Sequence, residues 1–434
     1  MIRFLGSIAW VVLLVAASAC SSGKPYRIEL MPSPAVYSSG ILDPFAGSGP
    51  ADPGYELLFA TDREPAGDED KEPYYTSARG HALRLGAAAV ELVADPPLDW
   101  EQAKRTSLAA DRGAKFPLQV SGCEEYGVLD AGIPVLAGIE GDPEAGRKFA
   151  RRIDGHLAQA TVKDIFIYVH GYKVVFEDPV LVAAELWHFL GYEGVFVAYS
   201  WPATPSVWAY ASDIETAAYT ARNLRILIEY LSKHTKARRI HVLGYSAGTR
   251  VVFGALAQLA LLHSGKSAEE IRQRVRLGHV ILTAGDVDRD MVAAFIEDGL
   301  LEVSDALTIY QSGSDAALGL SKWLFSRQRV GQVGNEEQFG ESARDLVRSR
   351  KDLIVINASD AADAGSGNGH GYFRNSPWVS SDILLTLRFD LSPARRGLVR
   401  EEAHFSWEFP PDYLDRLRSL ARSSSSPGAK QPAR

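Results

Sequence analysis

Ser246 stands in a sequence that suits nucleophilic catalysis. It lies within Gly244-Tyr-Ser-Ala-Gly248, directly after the apolar run 239–243 and before a stretch rich in Ala, Val and Leu. A G-x-S-x-G sequence at a strand-to-helix turn holds its serine exposed above a sheet, because the flanking glycines tolerate a very tight turn. The dipole and first amides of the following helix point towards the same place. The sequence therefore predicts that Ser246 is a nucleophile.

A serine hydroxyl attacks efficiently only when a base removes its proton, so a histidine and an orienting carboxylate must accompany Ser246. In this arrangement both follow the serine, the acid first and the histidine second. Of the ten histidines, His370 and His404 lie downstream of the candidate acids. His370 sits in a glycine-rich segment that can carry an imidazole over a sheet end, whereas His404 has the setting of a surface residue. The sequence favours His370 as the base.

Two carboxylates compete for the role of the acid, and both follow apolar strands at the sheet edge where ligands bind in open α/β folds. Asp286 comes directly after the run 280–285, with Asp288 close behind it. Asp315 follows the run 307–312 in a Gly-Ser-Asp turn, one strand later. The later strand is the more usual position, so Asp315 is favoured and Asp286 is the alternative. The carboxylate that is not the acid is expected to cap the next helix.

The negative oxygen of a tetrahedral intermediate needs two preorganised backbone amides. We expect one amide from Ala247, the residue after the serine, and the other from Tyr172. Tyr172 lies in the turn His170-Gly171-Tyr172 after an apolar strand, and the glycine lets this backbone approach a substrate. His170 is expected to hold the turn rather than to act as a base.

An aromatic segment at 199–210 includes Trp201 and Trp208. It could line an acyl or aromatic substrate pocket, or pack over the sheet as a loop, and the sequence leaves both interpretations open. The predicted chemistry needs no metal and no organic cofactor. The two cysteines are not spaced as zinc ligands. The expected substrate is a small-molecule or lipid-like ester.

The elements that must position these residues alternate between strand and helix. Apolar β-rich runs at 164–169, 194–199, 239–243, 279–284 and 306–310 alternate with helical stretches near 180–190, 212–233, 248–263 and 289–298. This rhythm predicts an α/β protein with a mostly parallel, doubly wound sheet covered by helices on both faces. Strand-like runs at 55–62 and 82–93 predict a β-rich N-terminal extension.

Together these motifs resemble the alpha/beta-hydrolase fold and, more narrowly, the bacterial family described as alpha/beta hydrolases of unknown function (DUF900). The resemblance covers about residues 55–390. It rests on the segments 58–63, 168–172, 176–178, 199–202, 213–223, 244–248, 286–288, 310–318 and 369–372. It implies a serine hydrolase of the esterase or lipase-like type, without naming a substrate, since the family has none assigned.

The N-terminus has the pattern of a secretory signal: an early Arg3, an apolar stretch and then small residues. Ala17-Ser-Ala-Cys20 resembles the end of a bacterial lipoprotein signal, in which Cys20 becomes the acylated first residue. The alternatives are a plain signal peptide or an uncleaved anchor, although the apolar stretch is short for a spanning helix. Ser21 after the cysteine favours delivery to the outer membrane of a Gram-negative cell. We therefore expect a lipid-anchored protein of the cell envelope.

These patterns divide the chain into a signal peptide (1–19), a flexible tether (20–54), an N-terminal extension (55–141), a hydrolase domain (142–421) and a disordered tail (422–434). A net charge of −8 without long basic runs argues against nucleic-acid binding. A hydrophobic content of 46% argues against a wholly disordered chain. The competing hypothesis is a catalytically silent envelope lipoprotein that uses the same sheet as a binding scaffold. The sequence leaves the oligomeric state open.

Overall fold

The computed structural model of this protein describes the greater part of the chain. The described residues are 25–46, 56–132, 138, 140–206, 209–313, 315, 330, 348–367, 369–401 and 406–424. Within them the chain forms one twelve-stranded sheet and eleven α-helices. The class is therefore α/β, as the sequence predicted.

The strands are numbered in chain order. They are β1 Arg27–Glu29, β2 Glu56–Pro65, β3 Tyr75–Leu92, β4 Pro117–Asp130, β5 Asp164–Val169, β6 Val195–Ser200, β7 Arg239–Tyr245, β8 Leu277–Thr283, β9 Ser304–Gln311, β10 Leu353–Asn357, β11 Val399–Glu401 and β12 Ser406–Glu408. Strands β5, β6 and β8 are buried along their whole length. Such continuous apolar strands are expected where helices cover both faces of a parallel sheet.

The helices are numbered in the same way. They are α1 Ala35–Ser38, α2 Trp100–Leu108, α3 Pro143–Gln159, α4 Glu177–Phe189, α5 Tyr210–His234, α6 Gly248–Leu262, α7 Ala268–Val275, α8 Arg289–Glu297, α9 Tyr372–Asn375, α10 Pro377–Phe389 and α11 Tyr413–Ser424. Helices α2, α3 and α10 begin after Asp99, Asp142 and Ser376, whose side chains accept hydrogen bonds from amides of the first turn. Such caps fix where a helix begins, because the first amides have no partner within the helix.

The sheet order places the strand that leads to Ser246 near the centre. The order is β1-β4-β3-β2-β6-β5-β7-β8-β9-β10-β12-β11. In this order, every neighbouring pair in the run β2-β6-β5-β7-β8-β9-β10-β12 is parallel. The pairs in the run β1-β4-β3-β2 and the pair β12-β11 are antiparallel. The prediction of a mostly parallel sheet is confirmed. The carboxyl ends of β5, β7, β8 and β9 consequently meet along one edge.

Two apolar clusters lie on opposite faces of the sheet. Along β5, Ile165, Ile167 and Val169 belong to one cluster, whereas Phe166 and Tyr168 belong to the other. This alternation follows from the two-residue period of a strand. Side chains of α3, α5 and α6 complete the first cluster, and those of α4 and α10 complete the second. Helices on both faces make the sheet doubly wound.

Residues 25–46 are packed against the domain, which corrects the prediction of a flexible tether over 20–54. Strand β1 pairs with β4, and Met31 and Val36 are buried. The amide of Val36 donates a hydrogen bond to Ser381 Oγ at 3.0 Å. Sequence periodicity did not reveal this packing because partners far along the chain, rather than a long regular element, hold the segment. The remaining residues of the predicted tether lie outside the described residues.

The predicted N-terminal extension is continuous with the main sheet. Strand β2 pairs in parallel with β6, so β1 to β4 widen the same sheet rather than form a separate layer. At the other end α11 continues to Ser424, beyond the predicted start of a disordered tail at 422. Residues 425–434 lie outside the described part. Among the residues described, no helix combines the length and apolar character needed to cross a membrane.

Candidate active site

Ser246 occupies a tight turn between β7 and α6. Its φ of 51° is left-handed, a conformation that costs a non-glycine residue on the order of 1–3 kcal/mol and persists only where neighbours enforce it. Two hydrogen bonds do so here. The Ser246 amide donates to the carbonyl of Thr283 at 3.0 Å, and the Ser246 carbonyl accepts from Thr249 Oγ1 at 2.6 Å. The turn therefore holds the serine at the carboxyl end of β7.

The structure brings Ser246, His370 and Asp315 together. His370 Nε2 lies 2.8 Å from Ser246 Oγ. On the other side of the ring, Nδ1 lies 2.8 and 2.9 Å from the two carboxylate oxygens of Asp315. All three residues are at least nine-tenths buried. In such an arrangement the serine proton can pass to Nε2 while the carboxylate holds the ring in place.

Asp286, the alternative acid, contacts other groups. Its carboxylate lies 3.5 Å from Arg250 Nε, and its amide donates to Thr249 Oγ1 at 3.1 Å. Thr249 also holds the carbonyl of Ser246, so Asp286 belongs to the support of the nucleophile turn. The sequence-based expectation was that the carboxylate not acting as the acid would cap the next helix. Asp288, rather than Asp286, caps α8, since its side chain accepts hydrogen bonds from the first amides of that helix. Histidine 404, the alternative base, lies outside the described residues.

Gly171 and Gly248 let the turn after β5 lie against the nucleophile turn. A Cβ atom at position 171 would be 2.9 Å from Ser246 Cβ. One at position 248 would be 2.2 Å from the carbonyl oxygen of His170. Only glycine permits both approaches. The backbone that continues to Tyr172 therefore starts beside Ser246, and Ala247 lies at the N-terminus of α6.

His170 and Trp201 stabilise the turn after β5 by contacting each other. Their rings stack with centroids 5.2 Å apart, and Trp201 Nε1 donates to the His170 carbonyl at 2.7 Å. Burial first, and then the nearby Arg63 guanidinium, hold the pKa of His170 well below its usual range. His170 is thus neutral and structural, in line with the sequence-based expectation. Trp201 is fully buried, which favours packing over pocket lining for this residue, and Trp208 lies outside the described residues.

Arg63, whose role the sequence did not reveal, joins several segments around the site. The residue is fully buried. Its Nε donates to Ser200 Oγ at 3.0 Å, and Nη2 donates to the Val174 carbonyl at 3.0 Å. Nη1 donates to the Thr76 carbonyl at 3.2 Å. The guanidinium therefore fastens the ends of β2 and β6 to the loop that begins with the His170 turn.

Asp62 precedes this arginine and fastens β2 to α5. Its Oδ2 accepts a hydrogen bond from Asn223 Nδ2 at 2.8 Å and another from Thr220 Oγ1. Burial raises the pKa of Asp62 to about 6, against the opposing effect of these hydrogen bonds and of Arg63. The signal that could have revealed both residues is an Asp-Arg pair that closely follows the apolar run 57–60 within β2, because charged residues at buried positions must be partnered.

We expect Arg63→Met to lower the free energy of unfolding by about 3–5 kcal/mol. It leaves the oxygens that Arg63 binds, Ser200 Oγ and the carbonyls of Thr76 and Val174, without their donor. It also removes the attraction between this cation and the buried Asp62 carboxylate. The measurement is urea denaturation followed by circular dichroism. Arg152→Met serves as the control on the surface, since Arg152 pairs with Glu56 at the start of the same strand and both side chains are exposed. That control should cost no more than about 1 kcal/mol. Equal losses in the two variants would contradict a special role of Arg63.

Comparison with known proteins places the site within a family. The family described as alpha/beta hydrolase of unknown function (DUF900) matches residues 146–388, which is more than half of the chain. The matched range includes Ser246, Asp315 and His370. No curated protein and no solved structure was found to match. The chain therefore belongs to the alpha/beta hydrolases of unknown function (DUF900).

Proposed function

We propose that this protein is a serine hydrolase that cleaves a carboxylic ester or a related acyl bond. The observation that carries the proposal is the hydrogen-bonded series from Ser246 Oγ through His370 to Asp315. A buried hydroxyl, imidazole and carboxylate in this order form the arrangement that activates serine in unrelated hydrolases. Membership of an alpha/beta hydrolase family supports the same conclusion.

In the proposed reaction Ser246 Oγ attacks the acyl carbonyl while His370 Nε2 accepts the hydroxyl proton. Asp315 holds Nδ1–H, which fixes the tautomer and stabilises the imidazolium that forms. The imidazolium then gives its proton to the departing alcohol, leaving an acyl-serine. Water attacks this ester while His370 accepts a proton from the water. The resulting intermediate expels Ser246 Oγ, which takes that proton back from His370, so that the acid is released and the serine is restored.

The negative oxygen of each tetrahedral intermediate would be bound by the amides of Ala247 and Tyr172. Ala247 lies at the start of α6, where the helix dipole favours negative charge. The close approach at Gly171 supports the assignment of the next amide, that of Tyr172, to the same task. Such donors are effective because they are already oriented before charge develops.

The test is reaction of the purified wild-type protein with a fluorophosphonate probe and with p-nitrophenyl esters of increasing acyl length. We expect stoichiometric covalent labelling and measurable turnover, and the chain-length profile will define the acyl preference. A folded protein that neither reacts with the probe nor hydrolyses any ester would overturn this proposal. That result would favour the catalytically silent envelope lipoprotein.

We further propose that the mature protein is held in the cell envelope by lipid on Cys20. The proposal rests on the sequence alone, in which small residues precede the cysteine after an apolar stretch. A single acyl chain binds membranes only marginally, whereas the several chains of a bacterial lipoprotein cysteine would anchor it stably.

Cys20→Ala should abolish incorporation of labelled palmitate and release the protein from the membrane fraction. The control is Cys123→Ala, because Cys123 is the other cysteine of the chain and its thiol is half-buried in the folded domain. That variant should keep the label. Palmitate label that persists in Cys20→Ala, or a mature N-terminus at another residue, would contradict the lipid anchor.

A further inference from the structure

One peptide group at the end of β8 contacts both sides of the site. The carbonyl of Thr283 accepts the amide of Ser246 at 3.0 Å. The amide of the same peptide group, which belongs to Ala284, donates to the hydroxyl oxygen of Tyr372 at 2.7 Å. The C=O and N–H of a trans peptide point in opposite directions. This single rigid unit therefore joins the nucleophile turn to the segment that follows His370.

The Tyr372 hydroxyl continues the series towards the acid. It donates its proton to the carbonyl of Tyr310 at 3.0 Å. Tyr310 lies in β9, the strand that leads to Asp315. Three hydrogen bonds thus run from Ser246 through the Thr283–Ala284 peptide and the phenol to β9. Hydrogen bonds in such a chain strengthen one another.

The phenol fills the place where β8 and β9 separate. Their pairing ends at Leu282 and Ile309. Ala284 then turns out of the sheet with a φ of 50°. Without the hydroxyl, the Ala284 amide would lose its partner in a site where Ala284 and Tyr372 are both almost fully buried, and an unpaired buried amide is costly.

The chemistry of the phenol suits this position. Burial is the main cause that raises the pKa of Tyr372, and the nearby Asp315 carboxylate adds to it. The hydroxyl therefore keeps its proton and can accept from one strand end while donating to the other. Because Tyr372 lies two residues after His370 along the chain, its fixed ring also fixes the course of the backbone that carries the imidazole.

We infer that Tyr372 is a positioning residue, whose hydroxyl sets the distance of His370 from Ser246 and Asp315 by closing the gap between β8 and β9. This inference rests on the proposed serine hydrolase function. It goes beyond the triad because Tyr372 touches no reacting atom. Its hydroxyl acts through the backbone of Ala284 and Tyr310, and its own backbone carries the effect to His370.

The test is Tyr372→Phe, which removes the hydroxyl and keeps the ring. We expect kcat for a short p-nitrophenyl ester, and the rate of fluorophosphonate labelling, to fall about 10- to 100-fold, the effect of misplacing a catalytic group by about 1 Å. The KM should stay unchanged, since the hydroxyl does not face the substrate. A second measurement is independent of turnover: the downfield proton resonance of the His370 Nδ1–H bonded to Asp315, assigned by its absence in His370→Gln. This resonance should broaden or vanish in Tyr372→Phe.

Two control variants separate positioning from a general loss of a buried hydroxyl. Tyr413 is fully buried and its hydroxyl has no hydrogen-bond partner in the described part of the chain, so Tyr413→Phe should change neither kcat nor stability. Tyr75 donates a 2.6 Å hydrogen bond to Glu125 on the N-terminal strands. Tyr75→Phe should therefore lower stability while leaving kcat and the resonance unchanged.

The outcomes distinguish this inference from the proposed function. If wild type reacts with the probe and Tyr372→Phe reacts equally fast with an intact resonance, the inference is overturned and the proposed function stands. If Tyr75→Phe loses as much kcat as Tyr372→Phe, the effect is one of stability and the inference is also overturned. If wild type is inert, the proposed function fails, and the resonance decides: its loss in Tyr372→Phe supports positioning of the His370 ring, and its persistence refutes it.

Discussion

Ser246→Ala is expected to abolish fluorophosphonate labelling and to lower kcat for ester hydrolysis by about 10⁶-fold, the loss typical of removing a nucleophile from a Ser-His-Asp unit. The residual rate should remain above that of water, because backbone amides still bind the oxyanion. The fold should persist, since the turn is held by the amide and carbonyl of residue 246 rather than by its side chain. Intact-mass spectrometry of the probe adduct and stopped-time esterase assays measure the two effects.

A matched control is Ser212→Ala. Ser212 is an exposed serine near the start of α5, and its hydroxyl donates to the Ala209 carbonyl. This variant should label and turn over as wild type does. Labelling of Ser246→Ala at full strength would show that another residue is the nucleophile, and the adducted peptide would identify it.

The second large effect is expected from Asp315→Asn, which should lower kcat about 10⁴-fold, because an amide favours the wrong tautomer of His370 and cannot stabilise the imidazolium. Asp286→Asn is the matched control on the neighbouring strand. Its carboxylate faces Arg250 at 3.5 Å, so its loss should leave most of the turnover. The assay is kcat for a short p-nitrophenyl ester at neutral pH, with urea denaturation of each variant alongside.

The two variants together separate the acids. Near-normal turnover of Asp315→Asn combined with a large loss in Asp286→Asn would move the role of the acid to Asp286. Because members of a triad act as a unit, Asp315→Asn in a Ser246→Ala background should cost almost nothing further. If the losses of kcat in the double variant were additive, Ser246 and Asp315 would not act together in one catalytic unit.

The central strands and helices could be predicted because burial on both faces of the sheet requires apolar side chains at consecutive positions, which are visible in the sequence. Strands β5 and β8 read as unbroken apolar runs, and the tight turn at Ser246 requires small neighbours that form a motif. The chain order of serine, acid and histidine then reduced ten histidines to two candidates. The sequence favoured Asp315 over Asp286 only by the usual position of the acid, since both follow strands that end at the same edge. The contact between Asp315 and His370 appears only in the coordinates.

Contacts between segments that are distant along the chain produce no such sequence pattern, so they could not be predicted. The sequence left the role of Trp201 open, because aromatic segments over a sheet edge have the same composition whether they face a ligand or the core. Residues 25–46 looked like a tether because their burial depends on partners such as Ser381, hundreds of positions away. The role of Arg63 depends on the carbonyls of two separate segments and on the Ser200 hydroxyl, and no spacing rule connects a side chain to such distant oxygens.

Because residues 25–46 are packed against the domain, a lipid at Cys20 would hold the domain by a short segment only. From Cys20 to Pro25 the chain can span at most about 18 Å, instead of the length of a long tether. This segment leads into strand β1, which is six strand spacings from β7 in the sheet order. Six spacings correspond to roughly 29 Å. A domain standing on its β1 edge would thus carry Ser246 well above the bilayer, where it meets dissolved esters. A domain lying with the carboxyl ends of its strands towards the membrane would instead place Ser246 against the lipid surface. The orientation of the domain on the membrane would therefore decide whether it meets dissolved esters or membrane lipids.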